Sequence, residues 1–200
     1  MTTPQDILDY WFEDCENDLE ATQKLSDKWY IPSAEIDQEI QERFSHVYDQ
    51  AFNQELDEWK DSVQGCLALV IIFDQFSRNL FRKTARAFES DHLALELTYK
   101  CINNYWHEEL TVPHQLFLFN PFQHSEDLTE QERGVQMVAK LCNSCASSWK
   151  SYVEGSLDFF SAHRDTVAKF GRFPHRNEVL LRTSTPEELE FLKTAPRYGQ

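Results

Sequence analysis

Seven consecutive apolar residues, Leu67-Ala68-Leu69-Val70-Ile71-Ile72-Phe73, constrain this chain more than any other stretch. A surface helix needs a polar stripe to face water, and this run has none. A helix from about Val63 to Leu80 must therefore be the central one, wrapped by others. It cannot cross a bilayer instead, because a membrane span needs roughly 20 apolar residues.

The wrapping helices are legible from their period. Ser33 can cap a helix carrying Ile36, Ile40, Phe44, Val47 and Ala51, spaced by three and four, with Glu35, Asp37, Glu39 and Glu42 between them. Thr3-Pro4 opens another through Ile7, Leu8, Tyr10, Trp11 and Phe12, since proline is tolerated in a first turn. Thr84 is read as the cap of a helix with Ala87, Phe88, Leu93, Ala94, Leu97, Cys101 and Ile102. Thr111 and Pro113 start a short apolar segment, Leu116 to Phe119, that stops at Pro121. Thr129 and Glu132 have capping-box spacing before Val135, Val138, Ala139 and Leu141. A later helix ends at Phe170 with Gly171 as its cap, and Ser184-Thr185-Pro186-Glu187-Glu188 begins a last one through Leu189 and Leu192.

No segment alternates with period two, and 5 Gly and 7 Pro among 200 residues leave little material for a turn-rich β fold. The expected class is all-α, one domain over residues 1–200, built from antiparallel helical hairpins. The 15 Phe, 7 Tyr and 5 Trp read as its core rather than as a base-stacking platform.

Net charge is −15, and residues 1–61 hold most of it, with 17 acids against 4 bases. Such a field repels nucleic acid and anionic membrane, so neither is an expected partner. The five cysteines lack the spacing of a disulfide framework, and the N-terminus lacks a basic-then-apolar leader, which together point to the cytoplasm. Cys142-Asn143-Ser144-Cys145 lies on a predicted helix without the context of a redox dithiol. Nothing in the sequence fixes an oligomeric state.

Three ordered segments carry a family resemblance: Leu67 to Arg82, with Asp74-Gln75-Phe76-Ser77-Arg78-Asn79; Phe117 to Asp127, with Pro121-Phe122-Gln123-His124-Ser125-Glu126; and Phe170 to Asn177. Trp11-Phe12, Trp29-Tyr30, Ala87-Phe88 with Asp91, His163-Arg164 and Ser184 to Glu188 support them. Together they resemble the bacterial family catalogued as domain of unknown function 924. The resemblance implies an all-helical, tetratricopeptide-like superhelix and no assigned activity. The chain departs from the family pattern at Ser77, where proline is usual, and at Leu181, where a glycine commonly precedes Arg182.

The chemistry-bearing residues gather in the same segments. Gly171 and Pro174 make a helix-ending corner that presents Arg172, His175, Arg176 and Asn177, suited to a carboxylate or phosphate. Asp74, Arg78 and Arg82 are four apart: Asp74 either pairs with Arg78 to order a buried helix end, or Arg78 and Arg82 face a cavity beside Gln75. His124-Ser125-Glu126 is placed on a loop, with His124 as an acid or base oriented by Glu126, or else packed while Ser125, Glu126 or Asp127 caps the next helix. His124, Glu126, His163 and His175 have the donor chemistry of a divalent-metal site but no metal-binding motif, so no metal or cofactor is expected.

These residues lead to three readings. The first is a concave site for a small anionic ligand or acidic peptide end, using Arg78, Arg82, His163, Arg172, His175, Arg176 and Asn177, with His124 nearby. The second is a hydrolase or transferase in which His124 or His175 moves a proton and the arginines stabilise negative charge. The third is a helical scaffold with a protein partner, marked by an exposed apolar groove.

Overall fold

A computed structural model describes residues 2–195, and among them every regular element is helical. The α-helices are α1 (Pro4–Phe12), α2 (Leu19–Lys24), α3 (Ser26–Tyr30), α4 (Ala34–Phe52), α5 (Val63–Val70), α6 (Ser77–Leu80), α7 (Asp91–Asn103), α8 (Val112–His124), α9 (Leu128–Ser144), α10 (Lys150–Phe170) and α11 (Pro186–Phe191). Short connections fold α8, α9 and α10 back on one another as hairpins, and α5 packs against α1, α7 and α8. No helix among the described residues is long and apolar enough to cross a membrane.

Local chemistry sets most helix starts. Thr3 and Asp6 form a reciprocal capping box on α1, Ser33 Oγ accepts the Ile36 N–H on α4, and Thr185 with Glu188 forms a second box on α11. Gly171 closes α10 at φ 68°, in the left-handed region that other residues enter only at a cost. Leu181 enters the same region at φ 54° with its side chain 94 % exposed, so no burial offsets a strain of about 1–2 kcal/mol.

The apolar run is the centre of the core: Leu67 through Phe73 are each at most 2 % exposed. Trp11, Phe12, Phe44, Tyr48, Phe76, Phe117, Phe119 and Phe122 pack around it as one hydrophobic cluster. Ring pairs tie distant segments together, with centroids 5.1 Å apart for Phe44–Phe76, 5.6 Å for Trp11–Phe76 and 4.8 Å for Trp29–Phe117.

Four local expectations are corrected. Thr84 precedes only a 3-10 turn, Ala85–Phe88, and α7 begins at Asp91. Asp127, rather than Thr129, caps α9, its Oδ1 accepting the Thr129 N–H at 2.7 Å. Helix α8 does not stop at Pro121 but runs through it. An interior proline costs about 3 kcal/mol, whereas Leu116, Phe117, Leu118, Phe119 and Phe122, all at most 6 % exposed, each gain about 1.5–3 kcal/mol by burial. His124 is consequently the last residue of a helix rather than a loop residue.

Candidate functional site

The predicted central helix does run from Val63 to Leu80, but Ile71–Phe76 within it is wound as a π-helix. The Ser77 N–H reaches back five residues to the Ile72 carbonyl. The Phe73 carbonyl instead accepts the hydroxyls of Ser77 and Ser90, both at 2.7 Å. The Asp74 carbonyl takes Arg78 Nη1 at 2.5 Å. Such expansions are frequent where a side chain must be aimed, and this one holds Asp74, 0 % exposed, in the interior.

Three side chains close on the Asp74 carboxylate. His124 Nδ1 lies 2.7 Å from Oδ1, Gln75 Nε2 donates to Oδ2 at 2.6 Å, and Arg78 Nη1 stands 3.4 Å from Oδ1. Burial opposes ionisation, but the attraction of His124 and Arg78, with the hydrogen bonds from His124 and Gln75, prevails and brings Asp74 down to about 2. An ionised carboxylate can only accept, so Nδ1 of His124 carries the proton and Nε2 is the basic nitrogen. Burial lowers the His124 pKa despite the adjacent carboxylate, which leaves the imidazole neutral at pH 7.

Arg78 turns from Asp74 to a two-pronged bond with Asp91, at 2.8 and 3.1 Å. Asp91 also faces Arg176, at the longer distance of 3.6 Å. Arg176 is only 6 % exposed, with Phe88 and Phe173 rings 4.4 and 4.6 Å from its guanidinium carbon, and its Nε is buried without a hydrogen-bond partner. Burial brings its pKa down to about 10, which still leaves it charged at neutral pH. Arg82 and Asn79 grip Asp37, with Arg82 Nε and Nη2 at 2.6 Å and Asn79 Nδ2 at 2.8 Å. His163 and His175 are each pushed down to about 3, chiefly by burial, and are neutral.

These groups border a cavity of about 820 Å³. Gln75, Arg78, Asn120, Gln123, His124 and Arg176 form its polar part, and Arg82, His163 and His175 also line it. Trp29, Tyr30, Phe159 and Phe160 supply an aromatic part. The volume is that of an ordinary small-molecule site, and the mixture of an apolar wall with a few convergent donors is typical of one.

The glycine corner divides. His175 and Arg176 line the cavity, whereas Arg172 and Asn177 do not. Arg172 clasps Glu188 at 2.6 and 2.8 Å, and Asn177 Nδ2 reaches both Ser184 Oγ and Glu188. Glu126 is part of this second network: it accepts Arg182 at 2.6 and 2.9 Å and the Phe173 N–H at 2.7 Å. The carboxylate at His124 is therefore Asp74, fifty positions away, and not Glu126. Among the described residues no group of three or more His, Cys, Asp or Glu is placed to hold a metal.

Sequence reasoning missed Asn120 and Gln123 because it ended the segment before Pro121. The available signal was their spacing with Leu116 and His124, which puts all four on one face of a helix that continues through the proline.

A family model described as bacterial protein of unknown function (DUF924) matches residues 7–196. No curated protein sequence matches the chain. Among solved structures, the protein of unknown function ATU0120 from Agrobacterium tumefaciens is similar, with 32 % identity and a TM-score of 0.77 over 96 % of this chain and 97 % of that one.

Proposed function

The chain belongs to the DUF924 family of bacterial proteins of unknown function, and we propose that its cavity is a binding site for a small anionic ligand. The observation that carries this reading is Arg176. A guanidinium offers five donors in a planar fork, yet among the described residues this buried, charged one has one ion pair, at 3.6 Å, and an Nε with no partner. Arg176 lines the cavity, where a carboxylate or phosphate oxygen would gain charge-assisted hydrogen bonds from the fork. Arg78, Arg82, His163 and His175 border the ligand in this reading. Arg172 and Asn177 serve it from outside, by tying the Pro174–Arg176 turn to Glu188.

The tetratricopeptide-like superhelix of the family resemblance belongs to the same reading, with the successive hairpins providing the concave wall. Five unbridged cysteines, four of them buried, are in keeping with a reducing cytoplasm.

Replacing Arg176 by Met keeps much of the packing between Phe88 and Phe173 and removes the charge. Titration with acetate and inorganic phosphate, followed by NMR, is expected to show a loss of about tenfold or more for whichever anion the wild type binds. Undiminished affinity in a folded R176M protein would count against the site.

The 2.7 Å contact of His124 with Asp74 favours a second reading, general base catalysis in a hydrolase or transferase. A neutral imidazole with its proton fixed on Nδ1 can accept another at Nε2 from an attacking water or hydroxyl, while Arg176 faces the developing anion. Turnover of 4-nitrophenyl acetate or 4-nitrophenyl phosphate in the wild type should fall by about 10²-fold or more in His124→Gln. Equal rates in the two proteins would exclude this role.

A further inference from the structure

The cavity has an apolar part beside its polar part. Tyr30 is 56 % exposed, Ile31 57 % and Phe159 40 %, and all three line the cavity. Together they form an exposed apolar rim on a cavity that also holds buried polar groups, an arrangement unlike singly scattered surface hydrophobics.

Gly155 adds an independent observation. It lies within α10 and lines the cavity beside Ser151, Tyr152, Ser156 and Phe159. A glycine inside a helix costs about 0.5–1 kcal/mol relative to alanine. The position is exposed, and an added Cβ would meet no atom within 4 Å. The missing side chain leaves this exposed part of the cavity lining open.

Resting on the anion-site reading above, we infer that the ligand is an amphipathic organic acid: one carboxylate-like head on Arg176, and an apolar body lying against Tyr30, Ile31, Phe159 and the opening at Gly155. Among the described residues the charges near the head balance. Arg78 and Arg176 stand against Asp74 and Asp91, and Arg82 is matched by Asp37. A head with a single negative charge exploits the unused donors of Arg176 without the repulsion from Asp74 and Asp91 that a dianion would meet. The body, rather than further charge, then supplies most of the affinity.

Three probes separate the contributions: acetate, 4-phenylbutanoate and the uncharged 4-phenylbutanamide. On the wild type, calorimetry or NMR titration should find 4-phenylbutanoate bound at least about tenfold more tightly than either of the others. Gly155→Leu adds bulk to the cavity lining at an exposed position where a Cβ meets no atom within 4 Å. It should keep its thermal stability and its acetate affinity, and lose the extra affinity for 4-phenylbutanoate. Equal binding of acetate and 4-phenylbutanoate, or a folded G155L protein that binds the latter as before, would overturn the apolar body while leaving the anion site intact. Equal binding of 4-phenylbutanoate and its amide by the wild type would overturn the anion site itself. If none of the probes binds, both statements fall.

Discussion

Asp74→Asn is expected to destabilise the protein by about 3–5 kcal/mol, more than other single charge-neutralising changes. The side chain is fully buried, and its charge is what His124, Gln75 and Arg78 are arranged around. Asparagine keeps the shape but removes the acceptor charge, leaving Arg78 with Asp91 as its remaining carboxylate and the His124 N–H facing a weaker acceptor. Because Arg78 retains Asp91, the lower end of the range is expected. Asp37→Asn offers the comparison: it also removes a partner from an arginine and an asparagine. Its side chain is 22 % exposed, however, so water screens the loss and the cost should stay nearer 1 kcal/mol. Denaturant midpoints at constant slope measure both. A loss below 1 kcal/mol in D74N would show that the cluster does not depend on that charge.

Acid should begin to destabilise the protein below about pH 6.5, well before its carboxylates titrate. His163 is 3 % exposed and burial holds it neutral, at about 3 instead of 6.5. The unfolded chain therefore binds a proton that the folded one refuses. The stabilisation is complete above pH 6.5 and drains away as the pH falls toward the folded value. Each such histidine contributes a slope of about 1.4 kcal/mol per pH unit. His175, at about 3, and His114, at about 4, have the same sign and steepen the profile. Asp74 acts in the same direction but lower, losing its contribution between 3.8 and about 2. A protein with an ordinary stability of about 5–15 kcal/mol would already be unfolding by then. Denaturation curves at pH 7, 6 and 5 should show the fall, and His163→Gln, which cannot titrate, should flatten it by about 1.4 kcal/mol per unit. Parallel profiles for the two proteins would mean that His163 is protonated in the folded state.

Both expectations concern groups visible in the sequence whose partners were not. Arg78, His124, His163, His175 and Arg176 were all singled out from local pattern, and they line one cavity. Their arrangement was not legible. The four-residue spacing of Asp74 and Arg78 marks neighbours on a regular helix, but it does not reveal the π-turn or that Arg78 makes its closer carboxylate contacts with Asp91, on α7. Glu126 is two residues from His124 in sequence and yet belongs to Arg182, because the end of α8 sends the two side chains to different neighbours.

The features written into the chain are local ones. The Thr3, Ser33 and Thr185 caps, the left-handed Gly171 and the burial of Leu67 to Phe73 follow from donors, dihedrals and periodicity within a few residues. Tertiary structure decided the rest: that α8 continues through Pro121, that Asp74 meets His124, and that Arg176 is buried beside a cavity with a donor unused. One cause underlies all three. The cost of an interior proline or a buried charge is fixed locally, but the burial and pairing that offset it come from residues tens of positions away, and only the packed helices bring those together.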